Sequence, residues 1–479
     1  MPLYNNGLFI FTRDLRLQDN NGLNCAISSC RHVYTTFFFT PEQVSDRLNK
    51  YKSSNAVQFM IESLVSLQKS IKSAQNGKLL TLYGAPDDCL KSLITRIELN
   101  AVFINKDVTK YAKTRFDKLK TVCTAYKIPL VEIDDFYLSV PGSVANSTGG
   151  IYQKFTPFYN KITSLIKTHK LVISRPEKSS TSANKKHLSA TTAKIPLEVK
   201  LKDMMAKYGT GGTNRRCLVG GRENALKQLN AVSFRVPDYE ATRNNLTDRT
   251  TQLSPYIKFG CVSIREVYYV FRDKLDREAS ASLIRQLFWR DFYAQLMNDN
   301  PNILFGPMRK QYANIRWSSS QKNLDAWKRG ETGFPIIDAG MRELLHTGYM
   351  HNRARLICAS FLPKTLLINW RKGEEHFAQN LNDYDPASNN GNWQWVAGTG
   401  SDSQPYFRVL NPFLQSKNYD PDAEYIKKWV PELKDVPAED IHKWDTAHTN
   451  SQYSSIDYPA PIVDYASQKE KALKMYKSV

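Results

Sequence analysis

Val33-Tyr-Thr-Thr-Phe-Phe-Phe39 is an uncharged run of β-branched and aromatic residues, and its reading decides the fold. A run this short and this apolar predicts a strand covered on both faces rather than a helix. Four short runs of similar β-branched or aromatic content lie at Leu8–Phe11, Leu79–Tyr83, Val102–Asn105 and Leu130–Ile133, the last interrupted by Glu132. Between them, Ala56–Ser73 and Tyr111–Tyr126 are long enough, and polar enough on one face, to be crossover helices. Strand–helix alternation predicts a parallel, doubly wound sheet, an α/β Rossmann-like domain over residues 1–140. No Gly-x-Gly-x-x-Gly follows Leu8–Phe11, so a dinucleotide held in the usual Rossmann manner is not expected there.

The chain continues well past this domain, and 479 residues exceed the comfortable size of one hydrophobic core. Residues 141–205 read as an interdomain linker, punctuated by Pro141, Gly142, Gly149 and Gly150 and rich in Ser, Thr, Ala and Lys over Pro176–Lys194. Within it, Tyr152–Tyr159 reads as an aromatic loop packed onto a domain. From residue 206 to 479 the pattern turns helical, with segments at Ile264–Asp273, Ser282–Asn298, Pro335–His346, His351–Ile368 and Gly373–Gln379. This predicts an all-α domain carrying most of the tryptophans.

Charge points to the partner. Against 46 Asp+Glu stand 66 Lys+Arg, a net charge of +20 that marks nucleic acid ahead of an anionic membrane surface. No stretch approaches the length of a membrane span, and Gly7–Phe11 is too short for a signal-peptide core. The cysteines (Cys25, Cys30, Cys89, Cys123, Cys217, Cys261, Cys358) are scattered, which fits reduced thiols in an intracellular protein and no metal site. Lys185-Lys186 is too short to be read as a nuclear signal.

Several residues carry chemistry by type and spacing. Gln286, Trp289, Arg290 and Tyr293 fall at i, i+3, i+4 and i+7, a polar and aromatic helix face suited to lining a cavity as well as to packing. Asn352, Arg355 and Leu356 share another face. Asp383 and Asp385 flank a turn; their carboxylates suit acid–base work, capping, or an Arg–Asp pair at a ligand. Thr250-Thr251-Gln252-Leu253-Ser254 precedes Pro255, so these residues are either a simple N-cap or a phosphate cradle at a helix start.

Phe11–Leu17, Thr250–Gly260, Phe288–Tyr293, Gly333–Arg342, Gly348–Arg355, Asn389–Arg408 and Asn411–Asp420 occur together and in order. In that set the chain resembles the photolyase/cryptochrome family, and within it the class I cyclobutane pyrimidine dimer photolyases. The resemblance implies an α/β domain joined to a helical domain that holds FAD, active as FADH⁻. It implies that Tyr239, Thr250, Thr251, Gln252, Leu253 and Ser254 hold the flavin phosphates. Asn352, Arg355, Asp383, Asp385 and Asn389 would surround the flavin ring, with Gln286 and Arg290 also in the cofactor set. Trp393, Trp370 and Trp317 match the family's electron relay. Repair in the family passes an electron from light-excited FADH⁻ to the dimer, and the electron returns after ring opening. Trp289 and Trp395 match aromatics that pack on the flipped-out dimer, Leu356 lines the same cavity, and Lys154, Phe155, Arg243, Arg353 and Arg408 match positions that grip DNA phosphate.

The chain departs from the class I pattern at Gln286, where that class has Glu and the (6-4) photolyases have Gln. The (6-4) enzymes carry two histidines where this chain has Asn352 and Leu356, which favours cyclobutane dimers. A cryptochrome light sensor is the reading from another class, against which stands the short continuation after Tyr458–Val463. Asn105-Lys106-Asp107 resembles the family's folate-contact segment loosely, so a folate antenna, a deazaflavin antenna and none are all left open. The expected partner is ultraviolet-damaged DNA, met by a monomer.

Overall fold

Alternate residues of a strand face opposite ways, so a strand buried on both faces must be apolar at every position. The first strand, β1 (Tyr4–Phe11), shows this over its buried end: Leu8 and Ile10 enter one cluster with Leu82, Leu90 and Leu93, while Phe9 meets Phe11 edge-on at 4.8 Å on the other face. The computed structural model, which describes residues 2–73, 77–177, 188–210, 218–248 and 250–479, pairs β1 with β2 (Cys30–Phe39) and β4 (Ala101–Asn105). Outside these lie β3 (Leu79–Tyr83) and β5 (Leu130–Ile133), giving a wholly parallel sheet in the order β3-β2-β1-β4-β5. The expected doubly wound α/β architecture is present, with its order reversing at β1. The crossover helices Ser54–Lys72 and Lys110–Ala125 fall where expected. Helices Asn21–Ser29 and Pro86–Ile97 complete the crossovers.

The stretch after the sheet is more ordered than its composition predicts. The aromatic segment Tyr152–Tyr159 is not a loop: it opens the helix Phe155–Lys167, whose Phe155, Phe158 and Ile162 are buried. Further on, Tyr83 donates to the carbonyl of Leu197 and Val199 to that of Thr81, so the chain lies along the sheet edge at β3. Ile195 is buried in the same apolar cluster as Leu8. Lys185, Lys186 and Cys217 lie outside the described residues.

The described chain forms two compact units. The first gathers residues from 1–212, 218–237 and 251–301, so the helices Ile264–Lys274 and Arg277–Asp299 belong with the sheet. The second gathers 238–250 and 302–479, and is helical around a core that includes Trp327, Trp393 and Trp444. Its central helices are Pro335–Thr347, Asn352–Lys364, Trp370–Asn380 and Pro386–Ala397. The second of these stops at Lys364, directly after Pro363, and does not run on to Ile368 as its apolar pattern predicts. Among the described residues no helix is long and apolar enough to cross a membrane.

Candidate functional site

In the second unit, the helix Asn352–Lys364 starts from a buried histidine. His351 Nδ1 accepts from the Arg353 backbone N–H at 3.1 Å, which puts the proton of the neutral ring on Nε2. Burial, with Arg355 and Arg353 beside it, pushes His351 down to about 4, so the ring stays neutral and its cap survives. Arg355 then faces Asp383 through two bonds, Nη1 to Oδ1 at 3.1 Å and Nη2 to Oδ2 at 2.9 Å. Arg355 Nε donates to the Met350 carbonyl at 2.8 Å, and the guanidinium lies 5.2 Å from the Tyr349 ring centre. Burial disfavours the charge of Arg355, but Asp383 opposite outweighs this and lifts it above its ordinary value. Tyr349 in turn meets Thr250 at 3.4 Å between hydroxyls. The structure thus brings Thr250, Arg355 and Asp383 into one neighbourhood, with Asn352 at its exposed rim.

Asp385 caps the next helix, Pro386–Ala397, by accepting from the Ser388 N–H at 3.0 Å. One turn in, Asn389 donates to the Glu374 carbonyl at 3.2 Å. Behind it, Asn390 donates to Glu374 Oε1 and accepts from Gln394, whose amide also binds the Ile303 carbonyl. This buried amide–carboxylate chain locks the helix that presents Asn389, Trp393 and Trp395.

Trp393 is 2% exposed and meets Phe377 edge-on at 4.9 Å. Its ring occupies the space a side chain at Gly373 would need, so Gly373 is required for that packing. Trp370 lies one helical turn before Gly373 and is likewise buried. Trp317 precedes Ser318, which pairs with the backbone at Leu367 and Ile368 just ahead of Trp370. Trp317 is only partly buried and packs edge-on to Tyr476 at 6.0 Å. Burial therefore falls from Trp393 and Trp370 to Trp317. Trp395 and Leu356 are half-buried against the same core.

Basic side chains of this unit differ in freedom. Arg353 is held over the Tyr419 ring at 4.3 Å and by Asn244 Oδ1 at 2.5 Å. Arg243 pairs with Glu240 at 3.2 Å near the surface, and Arg408 is exposed. Tyr239 is half-buried, its phenol pushed up by burial and so kept protonated as a donor.

In the first unit, Trp289 lies flat on Phe155, with ring centres 3.8 Å apart and planes 8° from parallel. The Phe155 ring is fully buried beneath Trp289, so the side chain expected at a phosphate packs inward instead. Lys154, just before it, is exposed. Gln286 is half-buried, with a long 3.5 Å contact from Nε2 to the Ser282 carbonyl. Arg290, expected in the cofactor set, donates to the Phe136 carbonyl at 2.6 Å and lies over the Tyr137 ring at 4.6 Å. Thr251 and Gln252 precede a helix of one turn, Ser254–Lys258, with Leu253 buried and Gln252 in the left-handed region at φ 50°. In Asn105-Lys106-Asp107, Asn105 is buried on Asp14 and Asn20 and Asp107 is paired with Arg13 at 3.0 Å, so internal bonds engage two of the three.

Tyr349, His351, Asn382, Asn390 and Gln394 were not expected at the site. The side chain of Asn382, next to Asp383, is 1% exposed, and its amide nitrogen and oxygen both lack a hydrogen-bond partner among the described residues. The same holds for His351 Nε2. Asn390 and Gln394 stand at i and i+4 beside Asn389, a spacing that could have marked them.

Residues 8–177 match the family model for DNA photolyase, and residues 283–478 match that for the FAD binding domain of DNA photolyase. The deoxyribodipyrimidine photo-lyase of Alkalihalophilus pseudofirmus is 35% identical over 480 residues, covering 98% of this chain and 97% of that protein. That of Halobacterium salinarum is 34% identical over 484 residues, 98% of each chain. Among solved structures, the Sulfolobus tokodaii photolyase, described with two FAD molecules and an implied light-harvesting cofactor, is 35% identical with a TM-score of 0.84, covering 99% of this chain and 100% of that one. A Synechocystis cryptochrome has a TM-score of 0.88 at 28% identity, covering 99% of each. Sequence and architecture agree along nearly the whole length, and the chain belongs to the DNA photolyase family.

Proposed function

We propose that this protein is a deoxyribodipyrimidine photo-lyase that uses light and reduced FAD to reverse cyclobutane pyrimidine dimers in DNA. The observation that carries the reading is the bidentate Arg355–Asp383 pair, a fixed cation suited to an anionic ring. The residues present fit that group: beside the pair lie the orphaned Asn382 amide and the His351 Nε2–H, polar groups whose burial is costly without a partner.

When bound, the reduced flavin supplies the light-excited electron that opens the dimer. Arg355 would oppose the ring's negative charge with Asp383 fixing the orientation of Arg355, while Asp385, Asn389 and Asn352 would offer acceptors and donors to it. Tyr239 and Thr250–Ser254 hold the phosphates. Trp317, Trp370 and Trp393 would carry an electron inward to oxidised flavin, each indole giving its electron to the one ahead and regaining one from behind, with a reductant in solution refilling Trp317. Trp289, seated on Phe155, and Trp395 each offer a ring to a flipped base, a contact worth about 1–3 kcal/mol per base. Gln286 donates an amide N–H to the lesion, Leu356 supplies apolar contact, and Lys154, Arg243, Arg353 and Arg408 grip phosphate, which gives the net charge of +20 its use. In this reading residues 206–479 do the chemistry, 141–205 connect, and 1–140 carry any antenna. The protein works as a monomer wherever the cell keeps its DNA.

The test uses purified protein with its flavin reduced, and oligonucleotides bearing a cyclobutane dimer or a (6-4) product, with and without blue light. Light-dependent restoration of the cyclobutane dimer alone is expected. Restoration of the (6-4) product would move the substrate, and restoration of neither overturns the reading. A pigment spectrum of the same sample identifies any folate, deazaflavin or second flavin.

A further inference from the structure

Lys364 ends the helix Asn352–Lys364 and has no exposed surface. A buried ammonium normally faces a carboxylate, because desolvating the charge is costly. Here its one described hydrogen bond runs, at 2.8 Å, to the backbone carbonyl of Arg408. The helix C-terminus, with its unsatisfied carbonyls, is a favourable place for the charge. A methionine would fill the same space without the desolvation cost, so the charge has a use other than packing.

That use lies in the segment it holds. The chain from Thr399 to Val409 has no regular secondary structure, and among the described residues two side chains from outside the segment, Tyr476 and Lys364, hold it beside Arg408. Tyr406 stacks on the buried Tyr476, with ring centres 6.1 Å apart and planes 10° from parallel. The other contact is Lys364. Between these anchors Phe407 is 63% exposed and Arg408 is exposed too. The turn is tight, the Arg408 N–H bonding the Pro405 carbonyl and the Val409 N–H that of Phe407. A backbone pinned at the carbonyl of Arg408 leaves its guanidinium directed by the turn and not by a diffusing loop.

We propose that Lys364 is a positioning residue for DNA, holding the Arg408 backbone so that the Arg408 guanidinium meets a lesion-strand phosphate. The inference rests on the reading above that Arg408 grips DNA. Because the bond is to the carbonyl, removing the Arg408 side chain leaves the tether intact. The two residues can therefore be separated.

The experiment measures dark binding of a dimer-containing oligonucleotide to flavin-loaded protein as a function of salt. The variants are Lys364→Met, Arg408→Ala and the double substitution. Arg408→Ala is expected to weaken binding and lower the salt slope by about 1, the loss of one phosphate contact. Lys364→Met is expected to do the same although Lys364 touches no DNA. The double variant is expected to bind like Arg408→Ala alone, and repair per bound lesion is expected to stay unchanged in Lys364→Met. Lys364→Gln, which keeps an N–H donor, is expected to fall between wild type and Lys364→Met, and it carries the same cycle if the methionine variant does not fold. Multiplicative losses in the double variant overturn the inference, as does an unchanged salt slope in both Lys364 variants. If Arg408→Ala itself binds like wild type, the DNA role of Arg408 falls and takes the tether's purpose with it, while the flavin and repair reading stands.

Discussion

Arg355 and Asp383 meet end to end, both carboxylate oxygens engaged by one guanidinium whose Nε–H is spent on the Met350 carbonyl. The Asp383 side chain is 4% exposed and that of Arg355 25%, so the pair is shielded on the acidic side and open on the basic side. An arginine fully neutralised and sealed would be structural. One fixed by its acid and still partly open can act on a ligand.

Asp383→Asn removes the charge and one acceptor while keeping the shape. Breaking a buried pair costs about 3–5 kcal/mol, and the partial exposure of Arg355 discounts this to about 2 kcal/mol. Flavin retention is expected to fall by about thirtyfold. Visible absorbance per protein after gel filtration reads it, and full retention would show that the pair serves the fold alone.

The relay makes a separate prediction. Phe in place of Trp393 or Trp370 is expected to abolish photoreduction of oxidised flavin while sparing repair when the flavin is reduced chemically first. Gly373→Ala adds a methyl where the Trp393 ring lies and also meets Leu362. Such overpacking costs about 1–3 kcal/mol, to be read as a lower midpoint of thermal unfolding, and slower photoreduction should accompany it. If repair with pre-reduced flavin is lost in the tryptophan variants, they do more than relay.

The strands were legible because each is a compact, mostly apolar run, and Leu79–Tyr83 and Leu130–Ile133 match to the residue even though Glu132 interrupts the second. Helix Asn21–Ser29 was hidden by its Asn, Gly and Ser content, and it stands because Asn20 caps it and Leu23 and Ala26 bury. Tyr152–Tyr159 was misjudged because its neighbours are polar, whereas the partners of Phe155 lie on a helix more than a hundred residues away. At the candidate site, the motifs named Arg355 and Asp383 together, and the structure pairs them. The place of Arg290 was not readable, since helical spacing tells which residues share a face but not that the Phe136 carbonyl claims this one. Lys364 and Asn382 were unreadable for a like reason: only the folded backbone shows which buried polar group has a partner.

Asp291 is fully buried against Ser139, which donates to Oδ2 through N–H at 2.7 Å and through Oγ at 2.9 Å. Burial outweighs these bonds and the nearby Arg290, and pushes its carboxyl up to about 7. An acid raised on folding binds its proton more tightly in the folded state. Stability is therefore unpenalised below the unfolded value near 3.8 and falls as pH rises toward 7, by up to about 1.4 kcal/mol per pH unit. Asp291→Asn keeps the acceptor for Ser139 and cannot ionise. Denaturant titrations should show the variant gaining on wild type between pH 4 and 7, and a constant difference would refute the assignment.

Gln286 offers the sharpest test of substrate chemistry. Its amide is half-buried and, among the described residues, makes the long Ser282 contact alone, which leaves it able to donate to a carbonyl on the lesion. An amide N–H donates but gives up no proton at any accessible pH, whereas a carboxylic acid does both. Adding an electron to a pyrimidine dimer makes its carbonyl oxygens more basic, so a proton donor at this position stabilises the charged lesion against premature electron return. Gln286→Glu is therefore expected to raise repair per absorbed photon on cyclobutane dimers, with dark binding little changed. The same substitution should not improve (6-4) repair. An unchanged or lower yield on cyclobutane dimers would mean that residue 286 serves this chain as a plain hydrogen-bond donor.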